Sequence, residues 1–308
     1  MSFPSKPVSL TRSAVLDSTV SRRSRLSDYF EMTKPRLSFL SVISAVVGYL
    51  AATPALDLPL FLSLLFGTAL AAGGAAVLNE YMEREEDGLM RRTASRPIPA
   101  GQIEPLRALL YGLALACSGT AMVWIGANPT AGALTALTLL SYLLLYTPLK
   151  KRSPWAAEVG AVPGALPPLI GWTAATQSFH PLGWYLFGIM FAWQMTHFLA
   201  ISWNCREDYK RGGFLTLSVL DPSGARVARH AFLYALLLTT IALLPIFVGG
   251  TGLLYATLAP LVSMWFLWEA ARFWWRGAST GGARRLFFAS IIHLPIFLLV
   301  LVVDRFLF

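Results

Sequence analysis

Three oxygen-bearing side chains, spaced four residues apart, are the residues of this chain best placed to do chemistry. Asn79, Glu83 and Asp87 follow an apolar run, and on an α-helix the positions i, i+4 and i+8 drift by only about 40° per step. They therefore share one face of a helix. Oxygen ligands on one face suit a hard cation such as Mg²⁺, which also keeps waters and phosphate oxygens in its shell. An ordinary charged helix end is the alternative that the spacing leaves open.

Basic residues follow this acidic stripe directly. Arg91, Arg92 and Arg96 lie within nine residues of Asp87. Carboxylates can hold a metal while arginine forks bind the remaining phosphate oxygens, so acid and base side by side favour a site for a metal–diphosphate. Lys150, in a later basic cluster, is a further candidate to turn inward to phosphate. For that cluster, an anchor at the membrane surface is the alternative.

A thinner copy of the acidic pattern lies at Asn204 and Asp208. His197 shares the helical stripe of these two residues, about 10 Å deeper along the axis than Asn204. An ionisable side chain inside a membrane is a candidate functional group. The alternative is a histidine that is merely hydrogen-bonded to a neighbouring helix.

The composition of the chain indicates which elements must position these residues. Of the 308 residues, 56% are hydrophobic and only 13% are charged, whereas a soluble chain carries about 25% charged residues. This excludes disorder, a nucleic-acid-binding tail and a soluble enzyme of ordinary surface. The two cysteines are too few for a disulfide framework and have no CxxC metal spacing.

Apolar runs recur along the chain, and each is long enough, or nearly so, to cross a bilayer. The runs are unbroken rather than alternating, which predicts helices and not a barrel. The sequence therefore predicts an all-α polytopic membrane protein with nine transmembrane helices. The runs lie at residues 37–54, 59–79, 108–126, 131–147, 155–175, 183–204, 231–249, 253–274 and 286–303.

The basic residues predict the orientation of this bundle. All but one of the 25 lysines and arginines lie in the N-terminal tail or in every second connection, and Arg305 is the exception. Positive loops stay in the cytoplasm, so the N-terminus is predicted to be cytoplasmic. The net charge of +9 is then a topology signal and not evidence for nucleic acid. Residues 1–29 are predicted to be a disordered basic tail, and residues 30–308 the nine-helix domain. A mitochondrial presequence is the alternative for the tail, but Asp17 argues against it.

Over roughly residues 28–305 the chain resembles the UbiA superfamily of intramembrane prenyltransferases. Two of the shared blocks, at residues 164–168 and 193–198, are similar to the branch of the family that modifies haem. The motifs that carry the resemblance are Thr33-Lys34-Pro35-Arg36, Asn79-x₃-Glu83-x₃-Asp87, Met90-x-Arg92-Thr93-x₂-Arg96-Pro97, Tyr146-Thr147-Pro148-Leu149-Lys150, Gly164-Ala165-Leu166-Pro167-Pro168, Trp193-Gln194-x₂-His197-Phe198 and Asp208-Tyr209-x₃-Gly213. Three features depart from the family pattern: Glu83 stands in place of the usual Asp, Thr196 in place of the usual Pro, and the second acidic motif is thinner.

The resemblance implies an activity: transfer of a farnesyl group from farnesyl diphosphate to a vinyl group of haem b, with water addition, giving haem O. Haem is then a substrate, and Mg²⁺ is the cofactor. The implied location is the bacterial plasma membrane rather than the mitochondrial inner membrane. Contact with haem A synthase or oxidase assembly proteins is a further expectation. The implied site roles are metal binding by Glu83, Asp87 and Asp208 with Asn79 beside them, diphosphate binding by Arg92, Arg96 and Lys150, and haem binding by His197.

Two other functions are weighed against this one. A UbiA-type prenyltransferase acting on an aromatic quinone precursor shares the Mg²⁺ site but has no need of His197. A transporter is expected to show inverted repeats and polar groups near the bilayer midplane. In this chain the carboxylates gather at one membrane face, and nine is an odd number of spans for a simple repeat.

Overall fold

The computed structural model of the protein describes residues 25–53, 55–248 and 250–307. The predicted basic tail lies outside the described residues as far as residue 24, and its last five residues belong to the first helix. Every regular element in these three ranges is a helix, which confirms the all-α prediction. The elements are α1 (Arg25–Met32), α2 (Pro35–Ala52), α3 (Leu58–Met82), α4 (Arg84–Leu89), α5 (Pro105–Gly126), α6 (Pro129–Leu140), a π-helical turn (Ser141–Tyr146), α7 (Thr147–Leu149), α8 (Ala156–Thr176), α9 (Pro181–Asn204), α10 (Arg206–Arg211), α11 (Leu217–Leu220), α12 (Ala225–Val248), α13 (Leu253–Trp275) and α14 (Thr280–Leu307).

A helix occupies each of the nine predicted spans. Among the described residues, eight helical segments are long and apolar enough to cross a membrane: α2, α3, α5, α6 to α7, α9, α12, α13 and α14. The predicted span at residues 155–175 corresponds to α8, which has 21 residues but is not one of the eight. Three prolines lie inside α8, and Glu158 lies in its first turn. The multi-pass membrane protein is thus confirmed, while the count of nine and the cytoplasmic N-terminus stay predictions.

Glycines let α8 lie directly against α2. A Cβ atom at Gly171 would lie 1.8 Å from the carbonyl oxygen of Ala45, and one at Gly48 would lie 1.9 Å from that of Pro168. Real Cβ atoms cannot approach so closely, so the two backbones touch where the side chains are missing. Small residues permit such close helix contacts in membranes, where no hydrophobic force drives helices together.

Polar caps fix the ends of several helices. The Asp57 side chain accepts a hydrogen bond from Leu60 N at the start of α3. Asn128 caps α6 and also donates its Nδ2 group to the carbonyl oxygen of Thr173, which joins α6 to the end of α8. At the same time these caps satisfy backbone groups that a helix end leaves unpaired.

Helices α9, α12, α13 and α14 form the second half of the bundle, around a core of tightly packed buried side chains. The Trp193 indole of α9 donates its Nε1 hydrogen to the carbonyl oxygen of Ser290 in α14, at 2.9 Å. Thr196, on α9, donates a hydrogen bond to the Ala231 carbonyl oxygen of α12. Side chains of α9 therefore join this helix to α12 and α14.

Candidate active site

The predicted acidic stripe turns into the protein where α3 ends. Asn79, Glu83 and Asp87 are only 3%, 4% and 1% exposed. Glu83 ends α3 and begins α4, so the chain changes direction within the stripe. A stripe facing bulk solvent would have left these carboxylates in water, and the structure therefore rules out an ordinary charged helix end.

Lys150 lies against the first carboxylate. Its Nζ atom is 2.7 Å from Oε1 of Glu83 and 4.6 Å from the centre of the Tyr146 ring. Burial alone would lower the pKa of Lys150, but Tyr146 and then Glu83 raise it above its ordinary value. Lys150 is thus a part-buried cation beside Glu83, and its diphosphate role stays a prediction.

Arg96 lies against the second carboxylate. Its Nη1 atom is 2.5 Å from Oδ2 of Asp87. The loop that carries Arg96 is folded back by two further bonds: Thr93 Oγ1 donates to the carbonyl oxygen of Asp87, and Ile98 N donates to Oε1 of the buried Glu80. The loop after α4 therefore places an arginine inside the site rather than in solvent.

Lys34 is a site residue to which the sequence analysis gave no role. Its Nζ atom donates to Oδ1 of Asn79 at 3.4 Å. Burial, and after it the nearby Arg96 guanidinium, lowers the pKa of Lys34 to about 8. The backbone of Lys34 adopts the left-handed conformation, with φ 47°, which is costly for a residue with a side chain and clusters at functional sites. Its signals in the sequence were its place before Pro35, at the head of a span, and its membership of the shared Thr33-Lys34-Pro35-Arg36 motif.

Two predicted site residues do not join this buried cluster. Arg92 is exposed, and its guanidinium lies 6.0 Å from the centre of the Tyr209 ring. Asp208 is paired with Arg211 at 3.1 Å, one turn along α10. The loop that follows α10 nevertheless lies close to the site, because Leu215 N donates to the carbonyl oxygen of Lys150. Arg92 lies near the same segment through its contact with Tyr209. The metal role of Asp208 and the diphosphate role of Arg92 stay predictions.

The donor set at the end of α3 fits a hard divalent cation. Oδ1 of Asp87 is buried and has no hydrogen-bond partner among the described residues, so one carboxylate oxygen has an unused acceptor site. Asn79 and Glu83 supply further oxygens on the same stripe, and such ligands are those that Mg²⁺ prefers. In the ranges that the structure covers, no three acidic, histidine or cysteine side chains gather as a metal cluster. The fit therefore depends on two carboxylates and one amide, with the remaining positions open to phosphate oxygens and water.

An apolar cavity of about 380 Å³ lies next to the cluster of Asn79, Glu83 and Asp87 with its cations, which we call the charged mouth. Lys34 and Tyr146 line it at the charged end, since Lys34 bonds Asn79 and the Tyr146 ring contacts Lys150. Alanines of α3 and the prolines and glycines of α8 form much of the wall. Trp193 and His197, from α9, also line the cavity. A charged mouth that opens into an apolar chamber suits a ligand with an anionic head and a greasy tail.

His197 is held at the cavity wall by aromatic rings and one hydroxyl group. Its ring stacks on Trp193, with centroids 4.9 Å apart, and on Phe287 at 5.2 Å. Its Nδ1 atom is 2.6 Å from Oγ of Ser290 in α14. His197 is thus bonded to a neighbouring helix and also lines the cavity, and its haem-binding role stays a prediction.

Fold and site together define a helical membrane protein with an apolar cavity that has charged residues at one end. The chain belongs to the UbiA prenyltransferase family, whose model matches residues 41–292. It is 45% identical over 291 residues to the protoheme IX farnesyltransferase of Opitutus terrae, covering 94% of this chain and 98% of the relative. The family resemblance drawn from the motifs is thereby confirmed.

Solved structures share the same fold. A structure of digeranylgeranylglyceryl phosphate synthase matches with a TM-score of 0.78 at 19% identity, over 92% of this chain and 99% of the other. A UbiA homolog from Archaeoglobus fulgidus, bound to DMAPP and Mg²⁺, matches with a TM-score of 0.68 at 14% identity, over 91% and 100% of the two chains. At these identities the likeness establishes the helical fold.

Proposed function

We propose that this protein transfers the farnesyl group of farnesyl diphosphate to a vinyl group of haem b, giving haem O and diphosphate. The observation that carries the proposal is a cluster of buried carboxylates, paired with part-buried cations, at one end of an apolar cavity whose wall includes a histidine. The protoheme IX farnesyltransferase name of a relative at 45% identity supports the choice of haem as acceptor.

The diphosphate end of the substrate would bind at the charged mouth. Lys34, Arg96 and Lys150 supply positive charge. Arg96 and Lys150 pair with the carboxylates of Asp87 and Glu83, and Lys34 donates to the amide oxygen of Asn79. Asn79, Glu83 and Asp87 would hold Mg²⁺, which when bound would draw charge from the diphosphate and ease its departure. The cations stabilise negative charge on the leaving group, and their burial strengthens that interaction.

The reaction needs water to be excluded and then admitted. The allylic C–O bond breaks with both electrons going to the diphosphate oxygen, which leaves a carbocation on the farnesyl chain. The vinyl group attacks this carbon, and the positive charge moves to the adjacent haem carbon. Water oxygen then adds there and releases a proton. The ring faces of Tyr146 and Trp193, both at the cavity wall, attract cations, and the apolar lining protects the first cation from hydrolysis.

His197 would bind the haem, with its imidazole as a ligand to the iron. Its place in the cavity wall supports this role. A quinone-precursor prenyltransferase would not need a histidine there.

The protein would lie in the plasma membrane of a bacterium, with the N-terminus and the acidic mouth on the cytoplasmic side. The distribution of basic residues supports this orientation. Contact with haem A synthase or oxidase assembly proteins is an expectation of the same proposal. We expect a reporter fused after Phe308 to lie outside the cytoplasm if nine spans are present. A reporter located in the cytoplasm would contradict the count of nine spans or the cytoplasmic N-terminus.

The direct test uses the purified full chain in lipid nanodiscs with haem b, farnesyl diphosphate and Mg²⁺. We expect haem O by mass analysis, together with stoichiometric diphosphate release. The His197→Ala variant should lose the haem product. Prenylation of a 4-hydroxybenzoate-type acceptor in place of haem, unaffected by His197→Ala, would overturn the proposal in favour of the quinone branch. Flux of substrate into vesicles without diphosphate release would favour a transporter.

A further inference from the structure

Ser290 of α14 is buried beneath the haem-facing wall of the cavity. It is 0% exposed. Two groups of α9 reach it: Trp193 Nε1 donates to its carbonyl oxygen at 2.9 Å, and His197 Nδ1 lies 2.6 Å from its hydroxyl oxygen. One residue of α14 therefore contacts two of the α9 residues that line the cavity, Trp193 and His197.

The short contacts around Ser290 favour one position of the proton on His197. The Ser290 hydroxyl has one hydrogen, and its oxygen lies 2.6 Å from two atoms, the Phe287 carbonyl oxygen and Nδ1 of His197. The carbonyl oxygen can only accept, so both contacts contain a hydrogen only when the hydroxyl donates to Phe287 and Nδ1–H donates to the hydroxyl. That arrangement leaves the lone pair on Nε2.

The aromatic contacts fix the plane of the same ring. Stacking on Trp193 and Phe287 sets the tilt of the imidazole, with interplanar angles of 16° and 26°. The bond to Ser290 then sets its rotation within that plane. Because Nδ1 points to α14, the Nε2 edge is the one available to the cavity that His197 lines.

We propose that Ser290 is a positioning residue: it holds His197 in the Nδ1-protonated form and presents the Nε2 lone pair to the haem iron. The inference rests on the proposed function, because it takes the iron of the haem substrate as the partner of Nε2. A hydrogen bond to the second nitrogen also raises the basicity of a ligating histidine. Ser290 would therefore set the haem affinity of this enzyme without touching the substrate.

The test is an absorption titration of the full-length protein in nanodiscs with ferric haem b. Ser290→Ala should weaken haem binding by roughly 10- to 100-fold and shift the Soret band away from that of the wild-type complex. Ser290→Thr keeps the hydroxyl group and should restore the wild-type spectrum. Binding of farnesyl diphosphate should be equal in all of these proteins, since its charged mouth is untouched.

Ser263→Ala is the matched control. Ser263 is also a fully buried serine of the second half of the bundle, and its hydroxyl lies 3.5 Å from a histidine, His293, that does not line the cavity. Its loss should leave haem affinity and spectrum unchanged. An equal effect of the Ser263→Ala and Ser290→Ala substitutions would show a general packing defect and overturn the inference.

Two results separate this inference from the proposed function. If Ser290→Ala keeps the wild-type affinity and spectrum while His197→Ala does not, Ser290 has no positioning role and the haem role of His197 stands. If His197→Ala also leaves the haem complex unchanged, both are overturned. Should Ser290→Ala fail to fold, Ser290→Cys is the second variant. Its thiol fills the same space but is a weak hydrogen-bond partner, so wild-type haem affinity in that variant would equally overturn the inference.

Discussion

At the scale of single residues, the acidic mouth is a set of buried charges that neutralise one another. Glu83 is paired with Lys150 and Asp87 with Arg96. Removing one partner of a buried pair leaves an uncompensated charge, so such pairs are poor choices for stability alone. Two buried carboxylates, each paired with a part-buried cation at one end of a cavity, are better explained by a ligand that uses them.

Asp87→Asn should lower kcat by at least roughly 10²-fold, because the proposed Mg²⁺ loses a negatively charged ligand and with it the electrostatic stabilisation of the leaving diphosphate. The amide keeps an oxygen that can accept the bond from Arg96, so the variant should still fold. Glu85→Gln is the control, since that carboxylate is two residues away but its side chain is 80% exposed. Haem O formation is measured by pigment mass analysis. Wild-type rates for Asp87→Asn would remove Asp87 from the site.

At the scale of elements, the contact between α2 and α8 depends on missing side chains. Gly171→Ala should lower the melting temperature strongly or prevent folding, because its Cβ would overlap the Ala45 carbonyl. Gly281→Ala makes the same change at a helical position with no atom within 4 Å of the added Cβ. That control should keep or slightly raise stability. Equal melting temperatures for the two variants in detergent would contradict the close contact.

The start of α12 depends on one carboxylate. Oδ2 of Asp221 accepts hydrogen bonds from Arg226 N at 2.7 Å and Val227 N at 3.2 Å. Burial alone would raise the pKa of Asp221, but the bonds from Ser223 and from these backbone groups lower it below its ordinary value. A depressed pKa means that the carboxylate stabilises the folded state above the unfolded pKa, and that this contribution is lost as the pH falls through the folded value.

Asp221→Ala should therefore destabilise the protein by about 1 kcal/mol at neutral pH, as the loss of other helix caps does. The difference from wild type should shrink below about pH 4, where the carboxylate of the unfolded chain becomes protonated. Asp221→Asn keeps one acceptor and should fall between the two. Thermal unfolding across the pH series measures this, and a difference that does not change with pH would exclude the charge from the cap.

At the scale of the whole molecule, hydropathy alone located the bundle. The predicted run at 131–147 corresponds to helical residues 129–149, and the other predicted spans start and end within six residues of a helix boundary, because a bilayer demands long apolar helices. The spacing of Asn79, Glu83 and Asp87 predicted a shared face of one helix. It did not predict their burial or the break between α3 and α4 at Glu83. The packing of the loops cannot be predicted from residue spacing. The sequence therefore could not show that Asp208 pairs with Arg211 of its own helix while Arg96 pairs with Asp87.

Lys34 is a site residue whose role could not be predicted from the sequence. A lysine before a span has the same pattern whether it anchors the helix at the membrane surface or contacts a ligand. In the structure its backbone is left-handed and its side chain contacts Asn79. Local conformations of this kind depend on tertiary contacts that no periodicity encodes.

Metal removal tests the molecule as a whole. EDTA should stop haem O formation, and added Mg²⁺ should restore it, because the carboxylate pair and Asn79 supply the oxygen ligands that this ion prefers. Mg²⁺ should not rescue the Asp87→Asn variant. Haem binding, followed by absorption, should survive EDTA, since His197 lies apart from the carboxylates in the cavity wall. Full activity in EDTA would contradict the metal assignment.

The π-helical turn Ser141–Tyr146 accommodates one residue more than an α-helical path would need. The extra residue is contained within the turn, so the residues that follow, Lys150 included, keep the angular positions that an α-helix one residue shorter would give them. Deleting Leu144, which is 63% exposed, should therefore let the segment return to an α-helical path and leave Lys150 beside Glu83. A one-codon deletion at this position should be tolerated, with both membrane insertion and turnover kept.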